Sequence, residues 1–98
     1  MSNKDYKEIY IKLYKIDLFN THHNFKNDSV IEDFNRDSYI IIKLLNNCAY
    51  SHILIRYLDE NYTDLEDKKF IKNLLQTKDF ANFIIAVEFI YSKYIKDG

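Results

Sequence analysis

Cys48 and His52 are the residues of this sequence closest to metal or nucleophile chemistry. Four positions apart, they share a face if the segment is helical, and thiolate and imidazole are both zinc ligands. His22 or His23 would have to complete the set from a loop. As nucleophile and base, the same pair lacks a third group to orient the histidine and a glycine turn to expose the sulfur. The plainer reading is a small buried thiol beside a boundary histidine. Glu32, Asp33 and Asp37 offer carboxylates, but acids near a helix start ordinarily serve as caps and dipole partners.

Other chemistries are excluded more firmly. Gly98 is the only glycine, and both the P-loop and the dinucleotide fingerprint need internal glycines. An arginine with a histidine about one helical turn later, as in some helical ribonucleases, occurs after neither Arg36 nor Arg56. The expectation is therefore no enzyme, no cofactor and no metal.

Charge is more informative. Residues 1–26 carry five lysines against three acids, residues 27–67 nine acids against three bases, and residues 68–98 six lysines against three acids. The net charge is −1 with a pI near 6.3, so nucleic-acid binding has only the local cluster Lys68, Lys69, Lys72 and Lys78 behind it. The acid is densest over residues 59–67, where five carboxylates meet no base. Tyr57, Asp59, Glu60, Tyr62, Asp64, Glu66 and Asp67 form the candidate partner-binding set, acids steering a basic protein and tyrosines anchoring it. The competing reading is that Asp64, Glu66 and Asp67 open a helix while Asp59 and Glu60 end the one before.

These residues must be held by helices. The sequence has no proline and no internal glycine, so the Asn-Gly and Asp-Gly hairpin turns of sheets are missing. With 47% apolar and 16% aromatic residues, the 98-residue chain can build a core. Tyr6, Ile9, Tyr10, Leu13 and Tyr14 recur at helical spacing over residues 4–18. Residues 19–28 lose that period and read as a loop. Ser29 and Glu32 match a capping box opening a second helical region, which runs to about Asp59 whole or broken near Asp37–Ser38 and Asn46–Asn47. Thr63 and Glu66 match another box, whose helix carries Phe70, Ile71, Leu74 and Leu75. Thr77 or Asp79 caps a last helix with Phe80, Phe83, Ile84, Val87, Ile90, Tyr91 and Tyr94 as its main face. Ile85, Phe89 and Ile95 lie outside that face, so this helix is apolar around most of its girth and belongs at the centre.

The expected fold is all-α, a compact antiparallel bundle of four or five helices forming a single helical domain over residues 1–98. No apolar run approaches membrane-spanning length, no signal-peptide core follows Met1, and a lone cysteine suits a reducing compartment, so a cytoplasmic location is expected. Ile, Asn, Lys, Tyr and Phe make up 52 of the 98 residues, the mark of an A+T-rich gene. The expected function is protein binding: an inhibitor of the immunity-protein, antitoxin or phage counter-defence type, occluding a partner with a basic surface. The alternatives are a small nucleic-acid-binding regulator using the Lys68–Lys78 face, or an adaptor that self-associates as a homo-oligomer.

Overall fold

Helices follow the apolar period of the sequence but overrun it at their ends, the first reaching Thr21 and the second starting at Asn27. The computed structural model describes residues 2–21, 27–61 and 63–95, with the side chains of residues 3, 18–21, 27 and 28 left aside. Five α-helices follow in order among the described residues: α1 (Asn3–Thr21), α2 (Asn27–Asn46), α3 (Ser51–Glu60), α4 (Leu65–Gln76) and α5 (Phe80–Ile90). A π-helical segment, Tyr91–Ile95, extends α5. There is no strand among the described residues. The fold is an all-α bundle. No helix among the described residues is long and apolar enough to cross a membrane.

The central pair is α1 and α5. Helix α1 packs on α2, α3 and α5, while α5 touches α1, α3 and α4. Phe83, Ala86, Val87 and Ile90 of α5 are at most 1% exposed. Opposite them, α1 buries Ile9, Leu13 and Ile16, an i, i+4, i+7 stripe. Phe34, Ile41 and Leu45 of α2, Leu54 and Leu58 of α3, and Ile71 and Leu75 of α4 close the core.

Both suspected breaks in the second helical region occur. The first is a kink, since α2 continues through Asp37 with that residue alone off helical geometry (φ −113, ψ 25). Arg36 bridges Asp33 and Asp37 across it, at 3.1 Å from each. The second is a full stop after Asn46. Ile40 and Ile55 are 59% and 38% exposed, while the buried stripe runs through Ile41 and Leu45 before the stop and Leu54 and Leu58 after it.

The Ser29–Glu32 capping box is a correction: α2 starts at Asn27, so Ser29 lies within the helix. A reciprocal box forms instead at Ser2 and Asp5. There the Asp5 N–H donates to Ser2 Oγ (3.4 Å) and the Ser2 N–H to Asp5 Oδ2 (3.3 Å). Helix α1 also runs to Thr21, past the expected end at residue 18.

Without internal glycine, helix ends use other residues in the left-handed region. Cys48 (φ 56) follows α2 and Lys78 (φ 54) follows α4. At Cys48 the Schellman pattern is complete: the Cys48 N–H donates to the Leu45 carbonyl and the Ala49 N–H to that of Leu44, each at 3.0 Å. At Lys78 the outer bond is replaced by a side chain. Thr77 Oγ1 donates to the Leu74 carbonyl (2.7 Å) while accepting the Asp79 N–H (3.3 Å) and Asn82 Nδ2 (2.9 Å). Asp79 is the N-cap residue of α5, yet its carboxylate makes no cap bond. Thr77 thus serves the junction and not the cap itself.

Two outcomes follow from this architecture. Replacing Lys78 with Gly relieves a left-handed side chain at an exposed site and raises stability by about 0.5–1 kcal/mol, measured by urea unfolding. Tyr10 packs among Phe34, Tyr14 and Tyr50, and burial, then Tyr50 and Asp33, pushes its hydroxyl up to about 12. A raised folded value means stability is intact below the ordinary value of 10.0 and is lost as pH rises towards 12. Tyrosinate absorbance and helical circular dichroism should therefore change together over that window.

Candidate functional site

The acidic segment ends α3 and opens α4. Asp64, and not Thr63, is the N-cap of α4: its carboxylate accepts the N–H groups of Glu66 (2.8 Å) and Asp67 (3.3 Å). The box sits one residue later than the Thr63–Glu66 pattern suggests, because Thr63 Oγ1 turns back to the Leu58 carbonyl (3.1 Å). Its return bond runs through a third residue. The Asp64 N–H donates to the Tyr94 hydroxyl (3.1 Å), and that hydroxyl donates to Asp67 Oδ2 (2.6 Å). Lys93 closes on the same oxygen at 2.5 Å. The Lys93 ammonium, then the Tyr94 hydroxyl, holds the Asp67 carboxyl below its usual range. Asp67 is therefore structural: it fastens the π segment to the start of α4.

The remaining expected site residues divide three ways. Tyr57 is corrected from surface anchor to core: it is 4% exposed, its ring 6.2 Å from that of Tyr94, and burial pushes its hydroxyl up. An apolar face was needed there to seat α3, and Tyr57 lies on it with Leu54 and Leu58. Tyr62 lies outside the described residues. Asp59, Glu60, Asp64 and Glu66 are exposed. Asp59 bonds Lys72 (3.0 Å) with Lys68 at 4.0 Å, and Glu60 bonds Arg56 at 3.1 Å.

Part of the charge polarity of the chain is thus consumed within the fold. Asp59 and Asp67, from the acidic middle, meet Lys68, Lys72 and Lys93 from the basic C-terminal third. The lysine face shrinks for the same reason, since Lys68 and Lys72 turn to Asp59 while Lys69 and Lys78 stay exposed. Glu66 alone among the five carboxylates has no ion pair or side-chain hydrogen bond among the described residues. Beside it stands an exposed apolar residue that was not in the expected partner-binding set. Leu65 is 64% exposed between Asp64 and Glu66. Its signal was faint, a lone apolar residue in an acidic run.

Cys48 and His52 do not share a helix face, because Cys48 sits in the left-handed turn before α3. Burial, then Asp79, pushes the Cys48 thiol up, away from thiolate. His52 Nδ1 lies 3.0 Å from the Ala49 carbonyl. Among the described residues no group of three His, Cys, Asp or Glu side chains could hold a metal; His22 and His23 lie outside them. Asp33 and Asp37 are committed to Arg36, whereas Glu32 is exposed one turn away. A cleft of about 570 Å³ between α3 and α4 is lined by Cys48, Ile55, Leu75, Lys72 and Lys78 among others. Its charged lining residues are Lys72, whose ammonium is bonded to Asp59, and the exposed Lys78.

No family model, no curated protein and no solved structure matches this chain.

Replacing Tyr94 with Phe removes both hydroxyl bonds of the latch. Stability should fall by about 1 kcal/mol, and the acid edge of unfolding should move to higher pH. The direction follows from Asp67: a lowered carboxyl gives stability that is present above its unfolded value and lost as pH falls through the folded one. Thermal melts across the acid range of both proteins check this.

Proposed function

We propose that this chain is a small non-enzymatic protein-binding inhibitor of the immunity, antitoxin or counter-defence type, acting by occluding a partner. Its docking surface is the corner where α3 ends and α4 begins. The observation that carries this reading is Leu65, 64% exposed and flanked by the exposed carboxylates of Asp64 and Glu66. An apolar side chain inside a ring of charge is how interface anchors are arranged. Asp59 and Glu60 add to the rim. Their side chains are 49% and 52% exposed, and surface ion pairs are worth only about 0–1 kcal/mol. Arginines or lysines of a basic partner can therefore replace Lys72 and Arg56 at little cost. Acidic charge at the corner speeds encounter, and burial of Leu65 slows release.

The structural roles of Asp64 and Asp67 dictate the test. The informative variant is Glu60→Gln with Leu65→Ala and Glu66→Gln, which spares the N-cap and the latch. The product of the adjacent gene is the first partner to try, by co-expression and by titration. The variant should melt with the wild type, bind about tenfold more weakly and show a flatter salt dependence. Unchanged affinity and unchanged protection would sink this reading.

A further inference from the structure

Helix α5 leaves part of its apolar girth uncovered. Ile85 is 48% exposed, and Phe70 of α4 is 44% exposed beside it. With Ile84 and Phe89 they line an open trough of about 610 Å³ between α4 and α5. Phe70 and Phe89 meet within it, ring centroids 5.3 Å apart and tilted by 58°.

The rims of this trough differ from the acidic corner. On the α1 side Glu88 is bonded to Lys12 at 2.6 Å, and on the α4 side Lys93 is bonded to Asp67 at 2.5 Å. Lys93 also lies over the Phe89 ring, 5.7 Å from its centroid. Two acids and two bases leave the rim without net charge, so neither a basic nor an acidic partner gains from it. What complements an apolar strip with an acid on one edge and a base on the other is the same strip turned around.

We propose that this trough is a self-association face, through which two copies of the chain pair about a two-fold axis. In such an isologous contact each residue meets its counterpart reciprocally. Antiparallel approach of the two α5 outer faces sets Glu88 of each copy against Lys93 of the other. Each intramolecular pair then extends into a row of alternating sign, Lys12–Glu88 in one copy continued by Lys93–Asp67 in the second. Phe70 and Ile85 fill the facing trough and lose their water. This pairing does not depend on the inhibitor reading. Phe70 stands five positions after Leu65, about 140° around α4, so the acidic corner stays open when the trough is closed.

Light scattering and sedimentation of the full chain test it. Wild type should show twice the 11.9 kDa chain mass at micromolar concentration and above. Ile85→Asp should be monomeric with an unchanged melting temperature, and Phe70→Ser serves if that variant does not fold. The charge arrangement has its own test. Glu88→Lys alone and Lys93→Glu alone should each be monomeric, whereas their equimolar mixture should form a heterodimer, because both ends of the contact then regain opposite charges. A wild type that stays monomeric, a dimer that survives Ile85→Asp and Phe70→Ser, or a mixture that stays monomeric overturns the proposal. Lys93→Glu opens the Asp67 latch at the start of α4, so separation from the docking corner rests on Ile85→Asp, Phe70→Ser and Glu88→Lys, none of which touches Glu60, Leu65, Glu66 or Asp67.

Discussion

Phe83, Ala86, Val87 and Ile90 of α5 are withdrawn from water almost completely, and three other helices must be brought around them to do it. Ala86 is as fully buried as the larger residues around it. Most other features serve that burial. Helix α1 supplies Ile9, Leu13 and Ile16 from one side, α3 and α4 close the others, and α2 covers α1. The ion pairs Lys12–Glu88 and Lys93–Asp67 sit at the edges of α5 and its extension, where they orient the packing without entering the core.

Ending helices without glycine is the second constraint. Cys48 and Lys78 both take left-handed backbone at a cost a glycine would avoid. The junctions are held by hydrogen bonds to the Leu44, Leu45, Leu74 and Leu75 carbonyls. The Thr77 hydroxyl bonds Leu74, Asp79 and Asn82 together. Such ends are set by hydrogen bonds and not by intrinsic backbone preference.

The helices themselves were legible because apolar spacing reports directly on which face is buried. Details decided by competition were not. Ser2 and Ser29 both head capping patterns, and only the structure selects Ser2, since α2 starts two residues ahead of Ser29. Ile95 illustrates a different failure. On an α-helical count it falls outside the main face of the last helix, yet it is 9% exposed. The π segment bonds i to i+5, which brings residue 95 into line with Ile90. In the candidate site the carboxylates were legible by composition, but their pairing was not. Asp59 meets Lys72 across thirteen positions and Asp67 meets Lys93 across twenty-six, distances over which sequence spacing says nothing. Tyr57 failed as an anchor because an aromatic residue next to an acidic run can lie on the buried face of its helix just as readily.

The contact between α1 and α5 also governs how the chain acquires its shape during synthesis. Lys12 and Glu88, whose side chains bond, are 76 positions apart, and Tyr6 stacks on Phe80 across nearly the same span. Helix α1 therefore leaves the ribosome with part of its apolar stripe uncovered until α5 has been made. Bringing such distant segments together must offset the loop-closure entropy of everything between them. Helices α1 to α3 can pack early, but the core closes only when α5 arrives. Until then part of the Ile9, Leu13 and Ile16 stripe faces water.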